Sequence, residues 1–381
     1  STSSTSTSTS TSISTTTSTS TSTSTSSSTS TSTSISTTTS TSTSTSTTTS
    51  TSTSTSTTTL KYPIAIAITP NGNYAYVVNN ENDNVTVINT ATNQVVDTIA
   101  NVGGGPVDIA ITPNGKYAYV VNYGSDTTTV INTTTNQVVD SIYMGAELVN
   151  GGGYYLTLEP TSVAITPNGD YAYVTAFGNT GNVSVINITT NHIIAHINLN
   201  NASNVYDVAI SPNGDYAYVT TYNGTGSVFV ISTATNKILT DILGLNDPRG
   251  LVVTPNGNYV YVADFESLTN PIKIISTSTN QVIGGTGDYA AAAVDSLAIT
   301  PNGNYVYIPS SNQGWNSYPN NVSVINTATN KVVAEIPGFN SPSGIAVTPN
   351  GNYVYVTNSD NDSVSVISTA TNKIVATILH V

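Results

Sequence analysis

Residues 106–142 have the sequence PVDIAITPNGKYAYVVNYGSDTTTVINTTTNQVVDSI, which predicts four short β-strands in succession. The first run, Pro106–Ile111, is almost continuously apolar, as in strands that are covered on both faces, whereas the last two runs mix apolar and polar residues. The tripeptide that begins at Pro113 predicts a tight turn, because proline fixes φ and glycine accepts a left-handed backbone. The unit therefore predicts four antiparallel strands, a to d, ordered from the inside outwards.

The same unit recurs along most of the chain. A period of 43 to 54 residues with four strands per repeat is typical of a β-propeller, in which each repeat forms one blade. The sequence therefore predicts an all-β fold with an extended or stalk-like Ser/Thr-rich segment, residues 1–60, and a seven-bladed β-propeller of four-stranded blades, residues 61–381. The seven Pro-Asn-Gly turns begin at Pro70, Pro113, Pro167, Pro212, Pro255, Pro301 and Pro349.

The repeat also predicts how the ring closes and where it varies. Every copy runs in the order a, b, c, d, so packing of the last blade against the first can close the ring without an exchanged strand. Alternating strand direction places the a–b and c–d turns on one face and the b–c and d–a connections on the other. The length variation falls on the second face, in residues 143–160, 284–296 and 310–321. We expect function on that face.

The composition limits the classes of partner and chemistry. Only 7% of the residues are charged, seven are Lys or Arg, and the net charge is −13, so a nucleic acid partner is not expected. The chain has no cysteine, which removes disulfides and thiolate sites, and no apolar run long enough to predict a transmembrane segment. The start at Ser1 fits either a cleaved signal peptide or a truncated chain. Because few carboxylates titrate, we expect tolerance of acid.

The N-terminal segment alternates with a period of two. From Thr5 onwards the odd positions hold mostly Thr and the even positions mostly Ser, while Ile13 and Ile35 add apolar side chains to the Thr face. This is the period of a β-strand, yet Ser and Thr bury too little apolar area to offset the entropy of ordering the chain alone. Two alternatives follow: an O-glycosylated spacer, or an assembly segment that pairs as a strand with neighbouring subunits.

Candidate catalytic and metal sites are few. The residues expected at the central axis are Ala65, Asp108, Ser162, Asp207, Gly250, Ser296 and Gly344. They form no ring of metal ligands, and Asp108 and Asp207 are expected to be solvated or hydrogen-bonded rather than to hold a cation. His192 and His196 lack a third ligand for zinc. The oxygen-rich runs 80–84 and 358–363 fit solvated turns better than calcium loops. We therefore predict no catalytic, metal or cofactor-binding residues.

Aromatic side chains give a better candidate for a binding face. The residue that directly follows the second strand is Tyr123, Phe177, Tyr222 and Phe265 in four successive blades, and Trp315 and Tyr318 lie in the next long loop. These rings are expected to form an arc on the variable face that contacts a protein or a sugar. The alternative is that each ring packs over the neighbouring blade.

Eight Asn-x-Ser/Thr motifs make covalent glycans an expected modification of an exported chain, although some such motifs arise by chance in an Asn- and Thr-rich sequence. The candidate asparagines are Asn84, Asn132, Asn182, Asn187, Asn201, Asn223, Asn321 and Asn361.

The second strand of each repeat carries a resemblance to a known family. Residues 355–358 read Tyr-Val-Thr-Asn, and residues 76–79 and 119–122 both read Tyr-Val-Val-Asn. These tetrapeptides resemble the signature of the YVTN β-propeller repeat, found in archaeal surface-layer and other secreted proteins. Residues 261–264 and 307–310 depart furthest from it. The resemblance covers 61–381 and implies an extracellular, archaeal cell-surface protein.

These observations predict a structural protein that is not an enzyme. We expect a subunit of a surface filament or surface layer that pairs with copies of itself, with the Ser/Thr segment linking the subunits. One alternative is a surface adhesin, a propeller that binds a glycan or a protein partner on a glycosylated stalk. Another is a propeller hydrolase, which would need an axial cation or charged cluster that the aligned residues do not provide.

Overall fold

The computed structural model describes residues 61–148, 155–178, 181–199, 202, 204–222, 225–265, 271–286, 296–311 and 320–381. Seven four-stranded antiparallel sheets follow one another along the chain, and in each the strands pair in sequence order. These sheets are the seven predicted blades, so the expected all-β propeller is confirmed. The N-terminal segment lies outside the described residues.

Blades 1 to 3 occupy the first half of the ring. Blade 1 comprises β1 (Pro63–Ile68), β2 (Tyr74–Asn79), β3 (Asn84–Asn89) and β4 (Gln94–Ala100). Blade 2 comprises β5 (Pro106–Ile111), β6 (Tyr117–Asn122), β7 (Thr127–Asn132) and β8 (Gln137–Tyr143). A small hairpin follows, β9 (Ala146–Leu148) and β10 (Tyr155–Thr157). Blade 3 comprises β11 (Glu159–Ile165), β12 (Tyr171–Phe177), β13 (Asn182–Asn187) and β14 (His192–Asn198).

Blades 4 to 7 repeat the pattern. Blade 4 comprises β15 (Asn204–Ile210), β16 (Tyr216–Tyr222), β17 (Gly226–Ser232) and β18 (Lys237–Leu245). Blade 5 comprises β19 (Pro248–Val253), β20 (Tyr259–Asp264), β21 (Ile272–Ser276) and β22 (Gln281–Gly285). Blade 6 comprises β23 (Ala298–Ile299), β24 (Tyr305–Ser310), β25 (Asn321–Asn326) and β26 (Lys331–Pro337). Blade 7 comprises β27 (Pro342–Val347), β28 (Tyr353–Asn358), β29 (Ser363–Ser368) and β30 (Lys373–Leu379).

In the described residues, helix is limited to short turns. Two 3₁₀ turns, Tyr123–Ser125 and Ser359–Asn361, follow the second strands of blades 2 and 7. Within the described residues, none of the helices has the length and apolar character needed to cross a bilayer.

The hydrophobic core lies between neighbouring blades. One cluster combines Tyr76 and Val85 of blade 1 with Ile109 and Val120 of blade 2, and equivalent clusters follow around the ring. The last cluster joins Ile66 of blade 1 to residues of blade 7. Asp362 Oδ1 accepts the backbone N–H of Lys61 at 2.7 Å, which fastens the start of blade 1 to blade 7. The ring thus closes by packing, as predicted, and each sheet is built from consecutive strands.

The two kinds of tight turn lie on one face, as predicted. In the first a–b turn, Gly72 has a φ of 75°, and Thr69 Oγ1 donates to Asn71 Oδ1 at 2.7 Å. In the c–d turn of the same blade, Asn93 is left-handed, with a φ of 54°. Thr90 Oγ1 donates to the Gly72 carbonyl at 2.5 Å and so ties the two turns together.

A hydrogen bond between blades explains two repeated residues at once. The buried second-strand Tyr76 donates its hydroxyl to Asn136 Oδ1, in the c–d turn of the next blade, at 2.7 Å. The same bond forms at six of the seven junctions of the described ring; at the remaining one, Asn280 Oδ1 is buried with no hydrogen-bond partner. The turn asparagine therefore accepts an inter-blade bond in addition to supplying a left-handed φ. The other five pairs are Tyr119–Asn191, Tyr173–Asn236, Tyr261–Asn330, Tyr307–Asn372 and Tyr355–Asn93.

Candidate binding site at the mouth of the axial channel

The inner strands surround an axial cavity of about 450 Å³. Six of the seven residues predicted at the axis line it: Ala65, Asp108, Ser162, Asp207, Ser296 and Gly344. In blade 5 the lining residue is Arg249, which directly precedes the predicted Gly250. The repeat alignment therefore located the cavity wall from the sequence.

Asp108 and Asp207 are joined by a serine from the blade between them. Ser162 Oγ lies 2.8 Å from Asp108 Oδ2 and 2.7 Å from Asp207 Oδ1. A serine hydroxyl has a single proton, so it can donate to only one of the two carboxylates. The second contact is a hydrogen bond only when the other carboxyl carries a proton and donates it to Ser162. The geometry therefore fits two acids that hold one proton between them.

Backbone amides complete the coordination of the two acids. Asp108 Oδ2 accepts the N–H of Val163 in blade 3 at 2.9 Å, and Asp207 Oδ2 accepts the N–H of Leu251 in blade 5 at 2.9 Å. Burial, followed by the charge of Asp108, raises the pKa of Asp207 to about 7. Burial likewise raises the pKa of Asp108. These carboxyls thus bridge blades 2 to 5 at the axis.

The candidate metal ligands are spread over the molecule. In the part of the chain that the structure describes, no three His, Cys, Asp or Glu side chains are grouped to hold an ion. His192 and His196 lie exposed on β14, where His196 Nδ1 is 3.0 Å from Ser184 Oγ and His192 Nδ1 donates to the Thr190 carbonyl. In the oxygen-rich turns, Asp83 accepts the N–H of Gly105, as Asp362 accepts that of Lys61.

Aromatic rings form an arc on the variable face, with one member different from the prediction. The Tyr123 and Phe177 rings meet edge to face at 6.0 Å, and the Phe177 and Tyr206 rings do so at 5.7 Å. No described ring contact joins Tyr222 to this arc, and Tyr206 takes the place predicted for it. Trp315 and Tyr318 lie outside the described residues.

A β-bulge explains why Tyr206 belongs to the arc. In blade 4, Val205 pairs with Thr221 and Val208 pairs with Val219, so Tyr206 and Asp207 together oppose a single residue, Thr220. The first strands of blades 1, 2, 3, 5 and 7 have a bulge at the equivalent place. A bulge of this kind re-aims the side chains of the extra residue. Tyr206 and Asp207 consequently both line the axial cavity. Sequence periodicity does not reveal the bulge, because it leaves the apolar run of the strand intact.

The only arginine of the chain continues the arc. The Arg249 guanidinium lies 3.7 Å from the centroid of the Phe265 ring and 5.4 Å from that of Tyr206. Its Nε and Nη2 atoms each lie 3.1 Å from Asp247 Oδ2. At the other end of the arc, a hydrogen bond with Glu159 is the main cause that raises the pKa of Tyr123 to about 12. The arc of Tyr123, Phe177, Tyr206, Arg249 and Phe265 is called the aromatic arc below.

A charged pair replaces a neutral one beside the arc. In blade 2 the last residue of the second strand, Asn122, donates through Nδ2 to Thr129 Oγ1 at 3.0 Å, and blades 1 and 7 have the same arrangement. Blade 5 has Asp264 and Lys273 at these two positions, with 3.9 Å between Lys273 Nζ and Asp264 Oδ2. The two departures from the repeat compensate each other in charge.

We expect this pair to behave as a unit in a double-mutant cycle. Asp264→Asn and Lys273→Thr should each lower the free energy of unfolding by about 1–3 kcal/mol, because each removes one of the two opposite charges of this buried pair. The double variant recreates the Asn and Thr of blade 2 and should recover to within about 1 kcal/mol of the parent. Denaturation in urea measures this. Additive losses in the double variant would contradict the pairing.

The outer strands carry a second repeated surface feature. In blade 1, Val87 pairs with Asp97 and Ile88 pairs with Val95, so Val96 is the extra residue of a β-bulge. The equivalent residue is bulged, apolar and 51–56% exposed in all seven blades. These rim residues are Val96, Val139, Ile194, Leu239, Ile283, Val333 and Val375.

The candidate glycosylation sites differ in accessibility. Asn361 is exposed, whereas Asn182 and Asn321 are buried at the start of third strands, with 4% and 7% of their surface exposed. A glycan on either buried asparagine would have to displace the neighbouring chain. Asn84, Asn132 and Asn187 are partly exposed, and Asn201 and Asn223 lie outside the described residues.

Comparison with known proteins agrees with this architecture. Residues 17–142, about a third of the chain, match the lactonase family of seven-bladed β-propellers, and residues 252–269 match the LVIVD repeat. The chain is a seven-bladed β-propeller. The solved structure of Kuenenia stuttgartiensis hydrazine synthase superposes with a TM-score of 0.68 at 22% identity, over 82% of this propeller chain and 97% of that chain. At this identity the likeness concerns the fold alone. No curated protein matches the chain.

Proposed function

We propose that this propeller is an extracellular structural protein, a subunit of a surface filament or surface layer, and not an enzyme. The observation that carries the proposal is the set of seven rim residues, each an apolar side chain that a bulge turns towards solvent. A soluble protein gains nothing in its own core from such side chains, and on an outer strand they raise the risk of association. Their presence in every blade favours contacts between copies.

The low charge of the chain supports the same proposal. Edge strands are commonly protected from association by lysine or by inward-pointing charges. Here only 7% of the residues are charged, every rim residue is Val, Ile or Leu, and a lysine begins only three of the seven outer strands, β18, β26 and β30. The Ser/Thr-rich segment, with Ile13 and Ile35 on its Thr face, is proposed to link the subunits. The exposed glycosylation candidates would cover surface that the contacts leave open.

The axial residues favour a scaffold over a hydrolase. The match to the lactonase family raises the possibility of catalysis, and a catalytic propeller needs reactive groups at its axis. Asp108 and Asp207 instead accept backbone amides of neighbouring blades and share Ser162. A lactone-hydrolysis assay with the full chain should therefore show no turnover above the solution rate.

The assembly can be tested with the full chain and two variants. Electron micrographs and light scattering should show filaments or sheets of the parent protein. Replacing the seven rim residues by lysine should abolish these assemblies while the ring stays folded, because the side chains are more than half exposed. Ile13→Asp with Ile35→Asp tests the linking segment separately. A parent protein that stays monomeric would refute the proposal. A lysine variant that still assembles would show that the rim residues do not form the contacts between copies.

A specific observation also favours a second function, that of a surface adhesin or partner-binding propeller. The aromatic arc spans four successive blades at the mouth of the axial cavity. Binding there and assembly through the rim would use different surfaces, so one molecule could do both.

A further inference from the structure

We propose that the aromatic arc and the axial cavity together form a binding site for a neutral oligosaccharide. This inference deepens the adhesin function and does not depend on assembly through the rim. Its starting point is the internal symmetry of the ring. Where seven blades share one sequence pattern, a position that departs from the pattern in neighbouring blades has been shaped by something other than the fold.

The position that follows the second strand shows such a departure. In blade 1, Asn80 Nδ2 donates to the Pro106 carbonyl of the next blade at 3.0 Å. In blade 7, Ser359 Oγ donates to the Pro63 carbonyl at 2.9 Å. Polar residues here thus fasten one blade to the next. In blades 2 to 5 the same position holds a ring instead, that of Tyr123, Phe177, Tyr222 or Phe265.

The inner strands show a second departure in the same sector. In blades 3 and 7 the residue that precedes the axial position donates to a neighbouring carbonyl: Thr161 to Val205 at 2.8 Å, and Ser343 to Ile64 at 3.1 Å. Blades 1 and 2 have the aliphatic residues Ile64 and Val107 there, and blades 4 and 5 have the larger side chains of Tyr206 and Arg249. Both side chains line the cavity. Within the aromatic arc, Tyr206 contacts Phe177 and Arg249 contacts Phe265. Two independent positions therefore place aromatic or cationic side chains in one sector of the mouth.

The chemistry of this sector suits a sugar. A pyranose ring presents C–H groups on its faces and hydroxyl groups around its edge. Aromatic rings and the Arg249–Phe265 stack offer flat apolar surface to the faces. Asp108 and Asp207, in the wall of the same cavity, offer acceptor oxygens to the hydroxyls. A sugar hydroxyl can donate to these oxygens, because each carboxyl oxygen has two lone pairs.

Cavity size and charge favour a small neutral ligand. A cavity of about 450 Å³ lies within the range of small-molecule sites, about 300–1,000 Å³. The net charge of −13 and the axial carboxyls repel acidic sugars and phosphates. Arg249 is already paired with Asp247, so it does not offset that repulsion. These properties favour a neutral oligosaccharide.

The test is a titration of the full chain with three neutral hexasaccharides, built of mannose, glucose and galactose, and with hexagalacturonate as the acidic probe. Calorimetry should detect binding of at least one neutral probe. Phe177→Ala and Tyr206→Ala should each weaken it at least about tenfold. Tyr353→Ala is the control, because Tyr353 is an aromatic residue that is 42% exposed beside an a–b turn on the opposite face. It should leave binding unchanged.

Several outcomes would overturn the site. They are the absence of binding by all three neutral probes, binding of hexagalacturonate alone, and an equal loss in the Tyr353→Ala control. Phe177→Leu guards against misfolding of the alanine variant, since leucine keeps the packing volume and removes only the flat ring. If this variant binds as tightly as the parent protein, ring stacking is not the basis of recognition. Light scattering of the same samples measures assembly separately, so a failure of sugar binding can be distinguished from a failure of the assembly proposal.

Discussion

Tyr119→Ala should lower the free energy of unfolding by about 3–5 kcal/mol, the range for removing a large buried aromatic side chain. Tyr119 is fully buried between blades 2 and 3, in a cluster with Met144 and Val163. Its hydroxyl donates to Asn191 Oδ1 of the next blade at 2.6 Å. The substitution would leave a cavity at a blade junction and an asparagine without its donor. Urea denaturation followed by circular dichroism measures the change.

A conservative pair separates packing from the hydrogen bond. Tyr119→Phe keeps the ring and should cost about 1–2 kcal/mol, because Asn191 Oδ1 loses a buried partner. The matched control is Tyr218→Phe, at the one junction where the turn residue Asn280 has no hydrogen-bond partner for its Oδ1. That change should cost less than about 0.5 kcal/mol. Equal losses in the two phenylalanine variants would show that the Tyr–Asn bond does not stabilise the ring.

Much of the fold follows from the sequence, because the repeat is long and regular. Seven Pro-Asn-Gly turns fix the number of blades, and the order of the runs fixes the order of the strands. The inter-blade Tyr–Asn bond was not predicted, since its two residues lie in different repeats, 72 positions apart for Tyr119 and Asn191. The available signal was that each repeat keeps both a second-strand Tyr and a turn Asn. Local turn chemistry explained only the Asn.

The site was predictable only in part, for two physical reasons. The axial register follows from strand alignment, so Asp108 and Asp207 were correctly placed at the cavity wall. Their sharing of Ser162 depends on the third dimension, which brings blades 2, 3 and 4 together at the axis. Tyr206 was missed because a bulge changes the direction of a side chain without changing the pattern of the strand. The paired change at Asp264 and Lys273 was visible in the sequence as two departures in a single blade.

The axial acids should make the protein more stable in mild acid than at neutral pH. Burial raises the pKa values of Asp108 and Asp207, the latter to about 7, above the ordinary value of 3.8. A carboxyl with a raised folded-state pKa binds its proton more tightly in the folded than in the unfolded chain. Its stabilising contribution to the free energy of unfolding is therefore complete below about pH 4 and is lost as the pH rises through 7. In most proteins the folded state lowers the pKa values of paired carboxylates, so the free energy of unfolding falls as the pH falls.

We expect the free energy of unfolding to fall by roughly 2–4 kcal/mol between pH 4 and pH 8, from about 1.4 kcal/mol per unit of raised pKa. Burial also raises the pKa of Asp264, which acts in the same direction. Urea denaturation at intervals of pH measures how steeply the free energy of unfolding depends on pH.

Two variants test the assignment to the axial acids. Asp207→Asn should flatten the pH dependence, whatever the loss of stability at any single pH, because one carboxyl of the shared pair no longer titrates. Ser162→Ala removes a hydrogen bond that lowers both pKa values, so it should move the steep part of the curve to higher pH. A parent protein whose stability rises from pH 4 to pH 8 would mean that the two acids do not share a proton in the folded ring.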